Sequence, residues 1–257
     1  MVKKIILYYV GALVATLFLA GFIGGVGNAI GLKETTVGLL VLMGAQLGPV
    51  ISVLIMLTIF KQEDISFSFK INKFKFFLLS IIIPVVLISL SAGVMVLIGK
   101  PYIESDIKGS LFIIFMITSL IGCFGEEIGW RGYLLPLLRK KYSMFISSVL
   151  TGLLWGAWHV TKIISYGVLP YLFFILFIAE FGIIMGWIYF RTKHSLTCMV
   201  AFHLCINIVC GLLLTGREGI SFYVIGILLS LVVILVIWIV DKEFFRESNC
   251  YESVYFI

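Results

Sequence analysis

The sequence predicts an all-α, polytopic membrane protein with about eight transmembrane helices. Three observations predict it. Of the 257 residues, 61% are hydrophobic and only 12% charged, whereas a soluble domain is about half apolar and about a quarter charged. The mean hydropathy is +1.18. The apolar residues are gathered in runs of roughly 20, the length a helix needs to cross ~30 Å of hydrocarbon. A transmembrane barrel would instead alternate in segments of about 10 residues.

Taken in order, the runs place spans at about 5–27, 37–60, 74–98, 110–138, 144–160, 170–190, 196–214 and 220–240. The first follows Lys3 and Lys4 and is read as a retained span. It is long for a signal-peptide core and lacks a clear small-x-small cleavage site. The fourth carries charges and Pro136. Connections are short, the longest being 61–73, and no repeat or soluble domain interrupts them. The whole chain, 1–257, is therefore expected to form one transmembrane domain. The tail 241–257 is amphipathic, suited to a membrane surface.

The formal charge of +6 follows from topology, not from nucleic-acid binding, because basic residues cluster at the ends of apolar runs. Alternating the spans puts thirteen lysines and arginines on the side of the N-terminus, including Lys61, Arg139, Lys140, Lys141, Arg191 and Lys193. The other side holds five: Lys33, Lys100, Lys108, Lys162 and Arg217. That bias makes both termini cytoplasmic. Of five cysteines, Cys123, Cys198, Cys205 and Cys210 lie within apolar runs and Cys250 in the tail, with no CxxC spacing. They read as reduced thiols. Glycines four apart (Gly21/Gly25, Gly44/Gly48, Gly125/Gly129, Gly152/Gly156, Gly182/Gly186) either let helices approach closely or reflect the glycine content of spans.

Ionisable side chains within spans cost roughly 2.5–3.5 kcal/mol each on insertion scales and face a bundle interior or a water-filled cavity. Here they are Glu126, Glu127, Arg131, His159, Glu180 and His203. The remaining histidine, His194, lies beside Lys193 and is expected to be solvated. Glu127 and Arg131 are four apart, acid first, and pair on one helical face. Glu126 is turned about 100° away, leaving it to face a cavity. Trp155 lies one turn before His159, and His203 shares a face with Asn207. Each has a plainer reading: a packed histidine, a static ion pair, an interfacial tryptophan. Glu180 has no opposite charge four residues away, so spacing assigns it no role beyond a hydrogen bond across a helix interface.

Three motifs now stand in order: "EEIGWR" (Glu126–Arg131), "WGAWH" (Trp155–His159) and "HLCIN" (His203–Asn207). Together they resemble the EExxxR, FxxxH and HxxxN motifs of the type II CAAX prenyl endopeptidase and bacteriocin-processing family of intramembrane proteases, also called CPBP or Abi. Trp155 stands where phenylalanine is usual. The resemblance covers about 110–210, the expected catalytic core. It implies that Glu126 is a general base activating water and that His159 holds the water or the carbonyl. It also implies that His203 and Asn207 stabilise the oxyanion, with Glu127, Arg131 and Trp155 in support. A partly desolvated carboxylate suits the first role and an amide the last.

Two mechanisms stay open. Glu126, His159 and His203 could hold zinc with an open fourth position, but no HExxH is present, and a directly acting carboxylate without cofactor is favoured. The expected partners are the bilayer and a peptide or membrane-protein substrate. A compact chain with short loops resembles bacterial members, which implies a plasma-membrane location and substrates such as bacteriocin precursors, or a role in self-immunity, over prenylated CAAX proteins. A non-catalytic immunity or peptide-binding protein is the alternative. A proton-coupled transporter is disfavoured because no internal repeat is present. Counting ~1.5 Å per residue from the nearest basic end places Glu126 ~20 Å deep, His203 ~15 Å and His159 ~27 Å. The site is thus expected in the membrane, nearer the cytoplasmic half.

Overall fold

A computed structural model describes residues 1–61, 65, 67–100, 107–213 and 219–246. Arg217, Cys250 and most of the tail 241–257 lie outside the described residues. The order is α1 (Val2–Ala29), α2 (Glu34–Gln46), α3 (Gly48–Ile59), α4 (Phe74–Leu97), α5 (Ser110–Glu127), a π-helical turn π1 (Ile128–Leu134) and α6 (Leu135–Arg139). Then come α7 (Met144–Trp158), α8 (Lys162–Tyr166), α9 (Val168–Arg191), α10 (Leu196–Leu213), α11 (Ile220–Val240) and α12 (Lys242–Arg246). Among the described residues there is no strand, only an isolated bridge between Ser68 and Ser195.

Among the described residues, seven helices or runs of joined helices are long and apolar enough to cross a membrane. The eighth apolar segment, α7, has 15 residues and measures about 22 Å at 1.5 Å per residue. It ends at Trp158 instead of reaching 160. Ser143 starts it, its hydroxyl accepting from Ile146 N–H at 3.2 Å, and His159 closes it with a non-helical backbone.

The segment expected as one span over 37–60 is two helices meeting at Leu47. Pro49 has no N–H, so the Ala45 carbonyl four residues earlier loses its helical donor. The Thr16 hydroxyl replaces it at 2.9 Å, and Trp158 Nε1 donates to that hydroxyl at 3.1 Å. The segment over 110–138 is also one rod with a defect. It widens into π1 directly after the two glutamates, and Leu135 N–H bonds back to Trp130 C=O. Pro136, next in line, cannot donate and would crowd the carbonyl four residues back.

The most buried long helix, α9, packs against α7, α11, α10 and α4. Gly152 of α7 meets it backbone to backbone, since a Cβ there would lie 2.8 Å from Ala179 Cα. Gly44/Gly48, Gly125/Gly129 and Gly182/Gly186 also sit in tight helix contacts, whereas Gly21 and Gly25 face nothing within 4 Å. Short connections alternate the helices between two ends. The basic end gathers residues 67–73, 139–144 and 191–197 with α12. There Ser68 N–H donates to His194 C=O at 2.9 Å and Thr197 to Phe69 C=O at 2.7 Å.

His194, expected to be solvated, is half-buried at this end with its ring stacked on Tyr189 at 4.8 Å. Burial, with the charge of Arg139 behind it, lowers its pKa. Cys123 and Cys198 are buried and Cys205 and Cys210 half-buried.

Candidate active site

Glu126 and Glu127 end α5 and are fully buried. Their different headings on the helix give them different partners. Glu127 Oε1 accepts from Arg131 Nη1 at 2.9 Å and from His203 Nδ1 at 2.8 Å. Arg131 also points Nη2 at Met185 Sδ, 3.1 Å away. A carboxylate only accepts, so His203 carries its proton on Nδ1 and turns Nε2 away. That nitrogen lies 4.0 Å from Glu126 Oε1.

Glu126 is held by two neutral donors. Gln46 Nε2 reaches Oε1 at 2.8 Å and Trp155 Nε1 reaches Oε2 at 2.6 Å. Gln46 sits at the break between α2 and α3, and Gly122 and Gly125 let it approach. A Cβ on Gly125 would lie 2.8 Å from Gln46 C=O. Gln46 was absent from the sequence-based site. Its signal was an amide inside an apolar run, beside a Gly-Pro step.

Trp155 touches Glu126, Arg131, His159 and His203. Beyond Glu126, its ring lies under the Arg131 guanidinium at 4.3 Å and meets the His203 ring edge-on at 5.0 Å. Its carbonyl faces His159 Nδ1 at 2.9 Å, which makes that nitrogen the donor. His159, half-buried at the end of α7, packs its ring against Trp158 and Phe174. Asn207, one turn beyond His203 on α10, donates to Cys123 Sγ at 3.4 Å, a weak acceptor.

Glu126, Trp155, His159, His203 and Asn207 line one cavity of about 800 Å³, with Gln46 among them. Ligand sites run to ~300–1,000 Å³. Its walls are apolar and aromatic, including Leu13, Leu17, Phe115, Phe174, Phe177 and Phe181. Glu127 and Arg131 stand behind this floor and do not line it. From the floor at Glu126 and His203 the cavity extends away from the basic end, since its lining includes Ile107 and Val160–Lys162. The short α7 leaves it room there. Glu180 is elsewhere: it accepts from Ser230 of α11.

Among the described residues no three of His, Cys, Asp and Glu come together as a metal-holding group. Both Glu126 oxygens already accept N–H groups.

This fold and site define a multi-pass helical membrane protein with a buried carboxylate–histidine–amide centre. Residues 108–209 match the model of the family described as Type II CAAX prenyl endopeptidase Rce1-like, the family that the three motifs resemble. CAAX prenyl protease 2 of Methanococcus maripaludis is 29% identical over 147 residues, 53% of this chain and 53% of its own. Lysostaphin resistance protein A of Staphylococcus epidermidis is 24% identical over 209 residues, 78% of this chain and 54% of its own. Its counterpart in Staphylococcus haemolyticus is 24% identical over 203 residues, covering 76% and 55%. The chain spans about half the length of the curated relatives it matches.

Proposed function

We propose that the protein is an intramembrane endopeptidase in which Glu126 activates water against a peptide bond. The observation that carries this reading is the placement of Glu126. Its carboxylate lies on the polar floor of an apolar cavity, fixed by Gln46 and Trp155, with His203 Nε2 4.0 Å away. A carboxylate has about four lone-pair sites, so two N–H donors leave room for a water. Glu126 takes the water's proton as its oxygen attacks the carbonyl carbon. The same proton then passes to the leaving amine. His159 and His203, whose Nε2 atoms are left as acceptors, steady the water, and Asn207 exchanges its weak sulfur contact for the oxyanion. Glu127 and Arg131 hold His203 in its tautomer from behind.

The match to a CAAX endopeptidase family supports proteolysis in general. The basic bias supports both termini being cytoplasmic, and the short loops, like those of bacterial members, support a bacterial plasma membrane. Peptide or membrane-protein segments are the substrates, and two relatives named for lysostaphin resistance favour bacteriocin processing or self-immunity.

The test uses protein in proteoliposomes and a panel of apolar precursor peptides, with and without a prenyl group. Cleavage should fall by about 10²–10⁴-fold in Glu126→Gln, the usual contribution of a general base. Full activity in that variant would remove Glu126 from the role. No cleavage of any peptide, with peptide binding retained, would favour a non-catalytic immunity protein. A strong chelator should leave activity intact. Loss to chelator and rescue by zinc would overturn the metal-free mechanism alone.

A further inference from the structure

The cavity is confined to one half of the bundle. Its lining comes from α1 beyond Leu13, from the chain up to Gln46 on α2, from α5 up to Glu126 and from the ends of α7 and α10. It also comes from the beginnings of α9 and α11, while α3, α4, π1, α6 and α12 contribute nothing. All these segments converge on the end formed by residues 30–33, 98–100, 107–109 and 159–167. The short α7 creates the space. It falls about 8 Å short of a ~30 Å core, and the missing turns lie beside His159.

Among the described residues the cavity mouth at that end is mostly apolar, with Thr161 and Lys162 the polar exceptions. Val160 there, and Leu17 and Leu42 midway along α1 and α2, line the cavity yet are 40%, 55% and 55% exposed. Beyond them, Ile164 of α8 is 89% exposed. The opposite end is closed by the strap of residues 67–72 and by α12. Phe67 covers Gly132, and Phe244 is buried beside Phe145 and Phe190. That closed end is also the basic one, where Lys4 lies near Lys140 and Lys141.

We infer that the site is entered from the non-cytoplasmic side of the membrane, by an extended apolar stretch of a peptide held at or in that leaflet. This rests on the orientation given above, which sets the basic end in the cytoplasm. Given that orientation, a cytoplasmic peptide meets the closed end. An exported or membrane-embedded one meets a largely apolar wall, with Lys162 at its mouth, leading to a polar floor. The substrate's chemistry follows: apolar side chains flanking the scissile bond, because between Lys162 and the floor the walls offer no ionic partner.

Three single cysteine variants test this in spheroplasts, scored against the parent's own thiols. Thr161→Cys stands on the rim and Lys141→Cys on the closed end, both exposed. Ile206→Cys stands inside the cavity. A sulfonated, membrane-impermeant maleimide should label Thr161→Cys equally before and after permeabilisation, and Lys141→Cys only after. A small charged methanethiosulfonate should modify Ile206→Cys in unpermeabilised spheroplasts. The reverse pattern for the first two would overturn the inference together with the orientation. Outside labelling of Thr161→Cys with Ile206→Cys untouched would overturn the entry route and leave the orientation standing. None of these readouts uses peptide hydrolysis, so a failure of the protease reading registers separately.

Discussion

Trp155 does for Glu126 what a phenylalanine cannot: it donates a hydrogen bond. By motif alone the change from phenylalanine only keeps a large aromatic side chain. The structure gives it an N–H at 2.6 Å from the carboxylate and a ring face under Arg131. Trp155→Phe keeps most of the ring and deletes the donor. A hydrogen bond to a charged group contributes about 1.5–3 kcal/mol, or about 10–100-fold if lost from the transition state. The expected result is a fall in kcat of that order with KM nearly unchanged, beside a lowered melting temperature in detergent because a buried ring shrinks. Wild-type kcat would show that Glu126 does not depend on this donor. At this scale the sequence was informative where residues are ionisable, since charge inside a span demands a reason. Glu126, His159, His203 and Asn207 were legible for that reason, or through their motifs. Gln46 was not, because a neutral amide costs less to bury than a charge and its contact lies 80 residues away.

Among the elements, the apolar runs were legible because hydrocarbon thickness fixes their length. Their interruptions were not. The join of α2 and α3 depends on a donor from α1, and the end of α7 depends on His159 leaving helical geometry, so neither is a property of one window. Both interruptions serve the site: the first exposes Gln46, the second opens the cavity beside His159. Thr16 ties them together, donating to Ala45 C=O and accepting from Trp158. Thr16→Val keeps the shape and removes the hydroxyl, leaving a buried carbonyl and an indole N–H unpaired. Each orphaned group costs about 1–3 kcal/mol. The variant should melt at a lower temperature, and a double-mutant cycle with Trp158→Phe should show coupling. Additive effects would mean that Thr16 does not link α1, α2 and α7.

For the whole molecule, the number of apolar segments and the uneven placement of basic residues were readable, and the direction in which the cavity extends was not. Counting from charges assumes full-length rods, and one rod is short. What sets the closed end apart is a latch between the last helices. Arg191 of α9 reaches Asp241 through Nε at 2.6 Å and Nη2 at 2.5 Å, and Trp187 Nε1 adds a third bond at 2.8 Å. Burial pushes the Asp241 carboxyl up. The bonds from Arg191 and Trp187, with the arginine's charge, outweigh that push and hold its pKa below the usual aspartate range. A carboxyl held lower in the folded state than in the unfolded one binds fewer protons when folded. Its stabilisation is therefore full above the unfolded value near ~3.9 and lost as pH falls through the folded value. Asp241→Asn should lower the melting temperature at neutral pH. The gap to the parent should narrow as pH is taken below about 4, because the parent then loses the same ionised partner. A gap that stays constant through acid would mean that the latch holds through packing of Phe244, with the ion pair contributing nothing.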